Sequence, residues 1–384
     1  MITSFNVFVP LIMGSGSSYR TGIKVRDLGC KKVLVVHGKG MKASGIADRI
    51  IDNLENAGVE VVPYTKVEPD PPDTIMEEGA QIAKDEGVDG IVSLGGGSAL
   101  DTAKGINVVI NNPAPISQYF GVQDNLKPGL PLIFIPTTSG TGSEVTNMTV
   151  VTVSADGRKD SVVSPVCVGS LAILDPDLTL GLSPKMTAVT GIDALAHAVE
   201  SLTGNNSNPL SDALAREAIR SIVKWLPVAY EDGSNLEARE ELMNASMKAG
   251  MAFTNGLVHV GHSIGHTIGA HYHIAHGLAC AATLPEVIEY SSKTESKKVA
   301  MICECFGEEV PKDASPEEIG ALARSVMRKF FKRVDIPNMK ELGLELEEVL
   351  SLAPLVTQDS GLALAPYRIT AKGIGELMEA AYSA

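Results

Sequence analysis

The first 180 residues alternate short β-branched runs with stretches in which apolar residues recur at helical spacing. A run such as Leu132–Ile135 is apolar at every position, so a strand formed there must be buried on both faces. The intervening stretches, for example Gly45–Ala57 and Thr74–Glu86, are then the helices that cover those faces. This rhythm predicts a parallel, Rossmann-like sheet. The predicted strands are Lys32–Val36, Val59–Val62, Gly90–Leu94, Leu132–Ile135 and Leu171–Leu174.

Beyond residue 177 the β-branched runs give way to helical periodicity. Ser183-Pro184 and Asn208-Pro209 indicate two helix starts, because a polar N-cap followed by proline is typical of the first turn. The sequence therefore predicts an α/β N-terminal domain at residues 1–180 and an all-α helical C-terminal domain at 181–384, and a length of 384 residues agrees with two domains. Further helices are predicted at about Leu236–Phe253, Gly277–Tyr290, Pro316–Phe331 and Ala371–Tyr382.

The charge and the cysteines narrow the classes of function. With 32 basic against 46 acidic side chains the formal net charge is −14, and such a surface repels nucleic acid and anionic membranes. The five cysteines form no C-x-x-C pair, which predicts neither a disulfide framework nor a thiolate zinc cage. No apolar run is long enough to cross a bilayer. We therefore expect a cytoplasmic protein without nucleic-acid or membrane partners.

Seven of the eight histidines lie between residues 197 and 276. His197 follows Asp193 by four positions in a helical segment, so both side chains project from one face, and His262 and His266 repeat that spacing. His276 follows ten residues later. A carboxylate and several imidazoles from separate helices are a ligand set for Fe(II), Zn(II), Mn(II) or Ni(II), and with no cysteine among them Cu(I) is disfavoured. The alternative is a set of solvated or hydrogen-bonded structural histidines.

The remaining four histidines are predicted to be structural. Each lacks a partner at helix-face spacing or lies in a predicted loop. Two of them, His271 and His273, are also candidates for the mouth of a pocket. The four are His37, His259, His271 and His273.

Two polar turns follow predicted strands. After Gly90–Leu94 come three glycines and Ser98, where a helix opens, and this arrangement lets the backbone approach a phosphate at the positive end of a helix. The match to the dinucleotide fingerprint is imperfect, so a tight turn without a ligand is the alternative. Hydroxyls and glycines at 136–146 follow the next strand and belong at the carboxyl edge of the sheet, where α/β proteins bind ligands. Together the turns favour a nucleotide cofactor facing a metal.

Five motifs in a fixed order make the chain similar to a known family. They are Gly95-Gly-Gly-Ser-Ala-Leu-Asp-Thr-Ala-Lys104, Pro136-Thr-Thr-Ser-Gly-Thr-Gly-Ser-Glu144, Asp175-Pro-Asp-Leu-Thr-Leu-Gly-Leu-Ser-Pro184, Gly191-Ile-Asp-Ala-Leu-Ala-His197 and His262-x3-His266-x9-His276-Gly277. On these motifs the chain resembles the iron-containing (group III) alcohol dehydrogenases, which include lactaldehyde reductases and 1,3-propanediol dehydrogenases. The resemblance implies a dinucleotide-binding domain, a helical metal-binding and substrate domain, and an active site in the cleft between them.

The resemblance also assigns candidate site residues. It implies that Asp193, His197, His262 and His276 are the metal ligands. His266 stands where the family has a non-ligand histidine close to the nicotinamide, and we assign it a supporting catalytic role such as proton relay. Gly96, Gly97 and Ser98 would take the pyrophosphate, with Gly95 and Asp101 of the same motif as further cofactor candidates; Thr137, Thr138, Thr146, Lys159 and Leu178 would line the rest of the cofactor site.

Three positions depart from the family pattern. Gly38 stands where related sequences often carry an aspartate that accepts from the ribose 2′-OH and repels a 2′-phosphate, so we predict that NADP is accepted. Asp70 replaces a frequent asparagine in the cofactor site. Gly265 replaces a frequent alanine beside His266, which predicts close helix packing or a roomier pocket.

The expected reaction is reversible hydride transfer between a nicotinamide cofactor, NAD or NADP, and a small alcohol or diol, with Fe(II), or alternatively Zn(II), as Lewis acid. The family resemblance implies a homodimer or a larger homo-oligomer. Three alternatives stay open at this point. One is a zinc glycerol dehydrogenase or dehydroquinate synthase-like enzyme of the same fold, another is a metal-dependent hydrolase, and the third is a non-enzymatic nucleotide-binding module.

Overall fold

The computed structural model describes residues 3–384, which separate into two compact units. The first unit is Val7–Gly181. The second is Leu182–Ala384 together with the described residues up to Asn6, whose backbone exchanges hydrogen bonds with the Asn255 side chain. No helix in the described part of the chain combines the length and the apolar character needed to cross a membrane.

A six-stranded parallel sheet forms the centre of the first unit, as the apolar runs predict. Its strands are β1 (Leu11–Met13), β2 (Lys32–His37), β3 (Glu60–Tyr64), β4 (Gly90–Gly95), β6 (Leu132–Pro136) and β9 (Leu171–Leu174). They lie in the order β1-β9-β6-β4-β2-β3. The five predicted strands are all confirmed, whereas β1 is only three residues long and carries no recognisable pattern.

The strand order reverses between β2 and β4. From β2 the chain moves to β3 on one side, and the next strand of the sheet, β4, lies on the other side of β2. The register pairs His37 with Leu94, so Gly38 and Gly95 follow at the same carboxyl edge. Because ligands of open α/β sheets bind outside the strand ends at such a reversal, this edge is the candidate nucleotide site.

A second, smaller sheet in the first unit was not predicted. Its strands are β5 (Gly121–Val122), β7 (Met148–Thr152) and β8 (Lys159–Val163). They lie in the order β5-β8-β7, and β7 runs antiparallel to β8. The strands are short, β5 is exposed and the other two are largely half-buried, so they lack the continuous apolar runs of the main sheet.

Five helices accompany the sheets of the first unit. Of these, α5 follows β4 directly, and nearly all of its residues are buried. The helices are α1 (Thr21–Asp27), α2 (Lys39–Ala43), α3 (Ile46–Asn56), α4 (Asp73–Asp85) and α5 (Gly97–Ile110).

The second unit is helical, as predicted. Ser183 and Asn208 both cap helices with proline at the first helical position, and the Asn208 cap is reciprocated by Ser211. The helices are α6 (Pro184–Thr203), α7 (Pro209–Glu231), α8 (Leu236–Gly256), α9 (Val260–Tyr272), α10 (His276–Ala281), α11 (Leu284–Cys305), α12 (Pro316–Arg333), α13 (Leu346–Ser351), α14 (Ala353–Val356) and α15 (Ala371–Tyr382).

The single helix expected at Gly277–Tyr290 is wrong, because two helices occupy the segment. Helix α10 ends at Ala281, and α11 begins at Leu284. Pro285 lies in the first turn of α11, where its missing N–H costs nothing, but the same residue inside a continuous helix would break a hydrogen bond. The interruption leaves α10 as a short helix of its own that carries His276 at its start.

Candidate active site

Helix α6 places a carboxylate inside the helical unit. The helix is buried on nearly every side, and Asp193 projects from it with 4% of its surface exposed. Burial raises the pKa of Asp193 to about 6, although the neighbouring His262 acts in the opposite direction. The Oδ1 atom of Asp193 has no hydrogen-bond partner among the described residues. A buried oxygen without a hydrogen bond is costly unless a cation or a hydrogen-bond donor lies beside it.

Helices α9 and α10 bring two imidazoles to this carboxylate. His262 is buried, and its Nε2 atom has no hydrogen-bond partner within residues 3–384. His276, at the start of α10, has its Nε2 atom 3.6 Å from Oδ1 of Asp193. Ligand atoms of Asp193, His262, His276 and Cys280 all lie within 4.8 Å of one another. Carboxylate and imidazole donors facing one another in this way fit a divalent iron or zinc ion.

His197 lies beside this group rather than within it. Its ring stacks on Phe253 at a centroid distance of 4.3 Å and on His262 at 4.8 Å. The structure therefore brings three of the four predicted ligands together and places the fourth against one of them. Its role as a ligand stays a prediction.

Cys280 is the residue of this group that sequence reasoning missed. The expectation of a ligand set without cysteine took no account of it. A signal was present, because His276 and Cys280 are four residues apart, the spacing that singled out Asp193 and His197. The structure confirms that both lie on α10.

Glu200 is a second residue that the sequence analysis did not select. It is fully buried on α6, and it accepts hydrogen bonds from Nδ1 of His262 and from the backbone N–H groups of Gly261 and His262. The Nδ1 atom of His259 lies 3.0 Å from its other oxygen. Burial alone would raise the pKa of Glu200, but His259 and the hydrogen bonds from His262 and Gly261 hold it at about 2. Glu200 is therefore an ionised group that orients His262.

His266 lies next to the group and has a carboxylate partner of its own. Its ring stacks on that of His276 with centroids 5.5 Å apart, and its Nδ1 atom is 3.0 Å from Oδ2 of Asp359. Asp359 also accepts from the Ser263 hydroxyl and from the Gly361 N–H group. Despite burial, these hydrogen bonds hold the pKa of Asp359 at about 2. This is the arrangement of a histidine whose second ring nitrogen is oriented for proton transfer.

The four histidines predicted to be structural contact groups other than the candidate metal ligands or lie at the end of a helix. His259 contacts the Thr203 hydroxyl at 2.9 Å, His271 contacts Glu348 at 2.9 Å, and His37 contacts the Gly38 carbonyl at 3.0 Å. His273 ends α9 in a left-handed conformation.

The glycine-rich turn and the threonine turn meet at the carboxyl edge of the sheet in the first unit. The Thr137 N–H donates to the Gly95 carbonyl, and a Cβ atom added to Gly96 would lie 3.2 Å from the Thr138 hydroxyl. A Cβ atom on Gly97 would lie 2.7 Å from Thr141. Glycine is required here because the two turns touch. The backbone N–H groups at the start of α5, including that of Ser98, are of the kind that hold a phosphate in dinucleotide sites.

The Lys104 side chain connects helix α5, which follows the glycine-rich turn, to the end of the threonine turn. The side chain is fully buried and donates to the Ser143 carbonyl and hydroxyl, the Thr146 hydroxyl and the Met148 carbonyl. Asp101 accepts from the Ser143 hydroxyl and the Val150 N–H. The polar groups of Asp101 and Thr146 therefore have partners within the protein, and their contact with a cofactor stays a prediction.

The other candidate cofactor residues differ in their surroundings. Gly38 caps α2, and a Cβ atom there would be 3.8 Å from the Val67 carbonyl, an ordinary contact. Asp70 and Lys159 form an ion pair of 2.6 Å with each other. Leu178 is buried against the sheet core.

Gly265 packs against Cys280, whose Sγ atom would lie 2.8 Å from an added Cβ. This contact confirms the close helix packing predicted at Gly265.

Comparisons with known proteins agree with these features. The family described as "Iron-containing alcohol dehydrogenase" matches residues 10–176, and "Fe-containing alcohol dehydrogenase family, C-terminal" matches residues 187–382. The NAD-dependent methanol dehydrogenase of Bacillus methanolicus is 34% identical over 97% of this chain and 99% of its own length. The 1,3-propanediol dehydrogenase of Citrobacter freundii is 35% identical over 98% of this chain and 99% of its own length.

Solved structures give the same result. A crystal structure of 1,3-propanediol oxidoreductase superposes with a TM-score of 0.95 at 34% identity, covering 99% of this chain and all of the other. Sulfoacetaldehyde reductase from Bifidobacterium kashiwanohense, solved in complex with NAD+, gives a TM-score of 0.90 at 29% identity over the whole of both chains. The two family matches span nearly the full length of the protein. The chain therefore belongs to the iron-containing alcohol dehydrogenase family.

Proposed function

We propose that this alcohol dehydrogenase interconverts a small alcohol or diol and its aldehyde, using a nicotinamide cofactor and iron held by Asp193, His197, His262 and His276. The observation that carries the proposal is a pair of buried atoms without a hydrogen bond among the described residues, Oδ1 of Asp193 and Nε2 of His262, in the group that also contains His276. Relatives that are named for methanol and 1,3-propanediol support a short alcohol as substrate.

The metal supplies a Lewis acid for the substrate oxygen when it is bound. The surrounding residues have separate tasks. Glu200 keeps Nδ1 of His262 protonated, so that Nε2 is left as a lone-pair donor. Asp359 keeps Nδ1 of His266 protonated in the same way. The Nε2 atom of His266 is then able to accept or return a proton. His266 is thereby proposed as a proton relay and not as a ligand.

The cofactor is proposed to bind at the carboxyl edge of the parallel sheet. Gly96, Gly97 and Ser98 offer backbone N–H groups at the start of α5 for the pyrophosphate. Gly38 is proposed to allow NADP as well as NAD, because no carboxylate stands at the end of β2 to repel a 2′-phosphate. We further propose a dinucleotide-binding domain at residues 1–180 and a metal-binding and substrate domain at 181–384. The protein is also proposed to be cytoplasmic and homo-oligomeric.

Chelation and reconstitution test the function. The purified protein is treated with a chelator, and short-chain aldehydes are then assayed with NADH and NADPH by absorbance. We expect turnover to be lost on chelation and restored by Fe(II) added without oxygen. Full turnover after complete metal removal would contradict the proposal, and a metal-dependent hydrolysis without cofactor oxidation would favour the hydrolase alternative.

A further inference from the structure

We infer that the thiolate of Cys280 is a ligand of the metal, so that this chain binds its ion through sulfur as well as through carboxylate and imidazole. The inference rests on the proposed function only in requiring a metal at this group. It adds a soft donor to a site for which the family resemblance implies one aspartate and three histidines. It concerns a position that the sequence analysis left unassigned.

The Cys280 sulfur lies close to the other candidate ligands. Cys280 is fully buried, and its Sγ atom lies 3.6 Å from Nε2 and 3.8 Å from Nδ1 of His276. The same sulfur falls within the 4.8 Å group that contains Asp193 and His262. Ligands around one ion approach each other at separations of this size, since metal–ligand bonds are about 2.0 to 2.3 Å long.

Two candidate donor atoms on other helices form no hydrogen bond with any described residue. Oδ1 of Asp193 on α6 and Nε2 of His262 on α9 are buried and have no hydrogen-bond partner in the described chain. One ligand atom from each of these two residues lies within 4.8 Å of Sγ of Cys280 on α10. Three helices therefore present donors to one centre, and one of those donors is the thiol.

Cys280 differs from the other cysteines in the group that its thiol contacts. Each of the other four directs its thiol at a backbone carbonyl, at Sγ–O distances of 3.6 to 3.8 Å, which is the ordinary bonding of a structural cysteine. Cys280 instead contacts a ring nitrogen of a candidate ligand. The four structural cysteines are Cys30, Cys167, Cys303 and Cys305.

The packing of α9 leaves space for the sulfur. A Cβ atom on Gly265 would lie 2.8 Å from Sγ of Cys280, well inside ordinary contact distance. An alanine at that position would therefore force the sulfur or the helix to move. The glycine that departs from the family pattern and the cysteine thus form one local arrangement.

Coordination replaces the S–H bond with a sulfur–metal bond, and the released proton passes to solvent. One thiolate and the Asp193 carboxylate together balance the charge of a divalent ion. Thiolate favours Zn(II) and Co(II) over hard ions such as Mn(II) and Mg(II). We therefore expect a higher preference for thiophilic metals than a carboxylate–imidazole set alone would give.

Cobalt substitution tests the inference without relying on activity. The full-length protein is stripped with a chelator and loaded with one equivalent of Co(II) in the absence of oxygen. We expect a sulfur-to-cobalt charge-transfer band in the near ultraviolet, which only a thiolate ligand produces. The band should disappear in Cys280→Ser while the variant still binds cobalt by elemental analysis. Cys303→Ser, which removes a buried structural cysteine of the same unit, should keep the band.

The outcomes distinguish the inference from the proposed function. Stoichiometric cobalt without the band in the unsubstituted protein overturns the cysteine ligand and leaves the dehydrogenase proposal intact. Persistence of the band in Cys280→Ser overturns it as well. No cobalt binding at all overturns both. Because Cys280→Ser is a change in a buried core, X-ray absorption of the unsubstituted zinc-loaded protein gives an independent measurement. A sulfur neighbour at about 2.3 Å from zinc is expected, and its absence overturns the inference.

Discussion

The Glu200 carboxylate accepts a hydrogen bond from Nδ1 of His262. That bond fixes the tautomer of the ring, so that Nε2 points away from Glu200 and carries the lone pair that a metal requires. The carboxylate is 62 residues away from His262 in sequence and lies on a different helix. Its fully buried position and its two backbone N–H donors hold it in one orientation.

Replacement of Glu200 should therefore weaken the metal site without removing a ligand. We expect Glu200→Gln to lower metal affinity by about 10- to 100-fold, because an amide presents either a weaker acceptor or a competing donor to Nδ1 of His262. Competition with a chromophoric chelator measures this affinity.

Glu286→Gln is the matched control. Glu286 is also a buried glutamate of the helical unit, but its partner is Arg328. Glu286→Gln should change the free energy of unfolding and leave the metal affinity unchanged. Equal affinity in Glu200→Gln and the unsubstituted protein would show that Glu200 does not orient the ligand.

His266 should contribute to turnover and not to metal binding. We expect His266→Ala to lower kcat by about 100-fold, the lower range for loss of a general acid–base group, with metal content unchanged. Asp359→Asn should give a smaller decrease, since an amide orients Nδ1 of His266 less strongly than the carboxylate does. Steady-state kinetics with parallel elemental analysis measure both effects.

His271→Ala is the control for that pair, because His271 lies on the same helix and is paired with Glu348 at the surface. It should keep normal turnover. Loss of metal in His266→Ala would instead identify His266 as a ligand.

Gly38 should control the choice between the two nicotinamide cofactors. A side chain fits there, because an added Cβ meets only an ordinary contact with Val67. We expect Gly38→Asp to lower kcat/KM for NADPH relative to NADH by about tenfold or more, a difference of about 1.4 kcal/mol that a carboxylate facing a 2′-phosphate readily supplies. Gly40→Asp adds the same charge two residues later, where an added Cβ meets nothing, and it should leave the ratio unchanged. An unchanged ratio in Gly38→Asp would place the ribose elsewhere.

The main sheet could be predicted because a strand that is buried on both faces is apolar at nearly every position. Leu132–Ile135 has only apolar residues, and the structure buries every one of them. The strand Met148–Thr152 alternates between buried and half-exposed positions and is bordered by turns, so its sequence is equally compatible with a loop. Most of the strands that could be predicted are covered on both faces, and the exception is β3, which is largely half-buried or exposed and was recognised from its valines.

The site was predictable to the extent that its residues cluster in sequence. Asp193, His262 and His276 follow from histidine spacing together with the family motifs. Glu200 could not be selected in that way, because its significance depends on which helices pack together, whereas Cys280 lies at the four-residue spacing from His276 that could have singled it out. An ionisable side chain in an apolar helix such as α6 is a signal that a partner exists, but the sequence does not name the partner. Lys104 is a similar case, since its four acceptors lie 39 to 44 residues away.

Glu144 makes the stability of the protein depend on pH. Burial raises its pKa from an ordinary value of 4.5 to about 7, although Lys104 acts in the opposite direction. A raised carboxyl pKa means that the folded state holds the proton more tightly than the unfolded state, so unfolding free energy falls as pH rises from about 4.5 to 7. Glu144→Gln should remove this loss and stabilise the protein by up to about 3 kcal/mol at pH 8, with a much smaller effect at pH 5. Urea unfolding at the two pH values measures the difference, with exposed Glu55→Gln as the control. A Glu144→Gln effect that is equal at both pH values would mean that the carboxyl group does not titrate in this range.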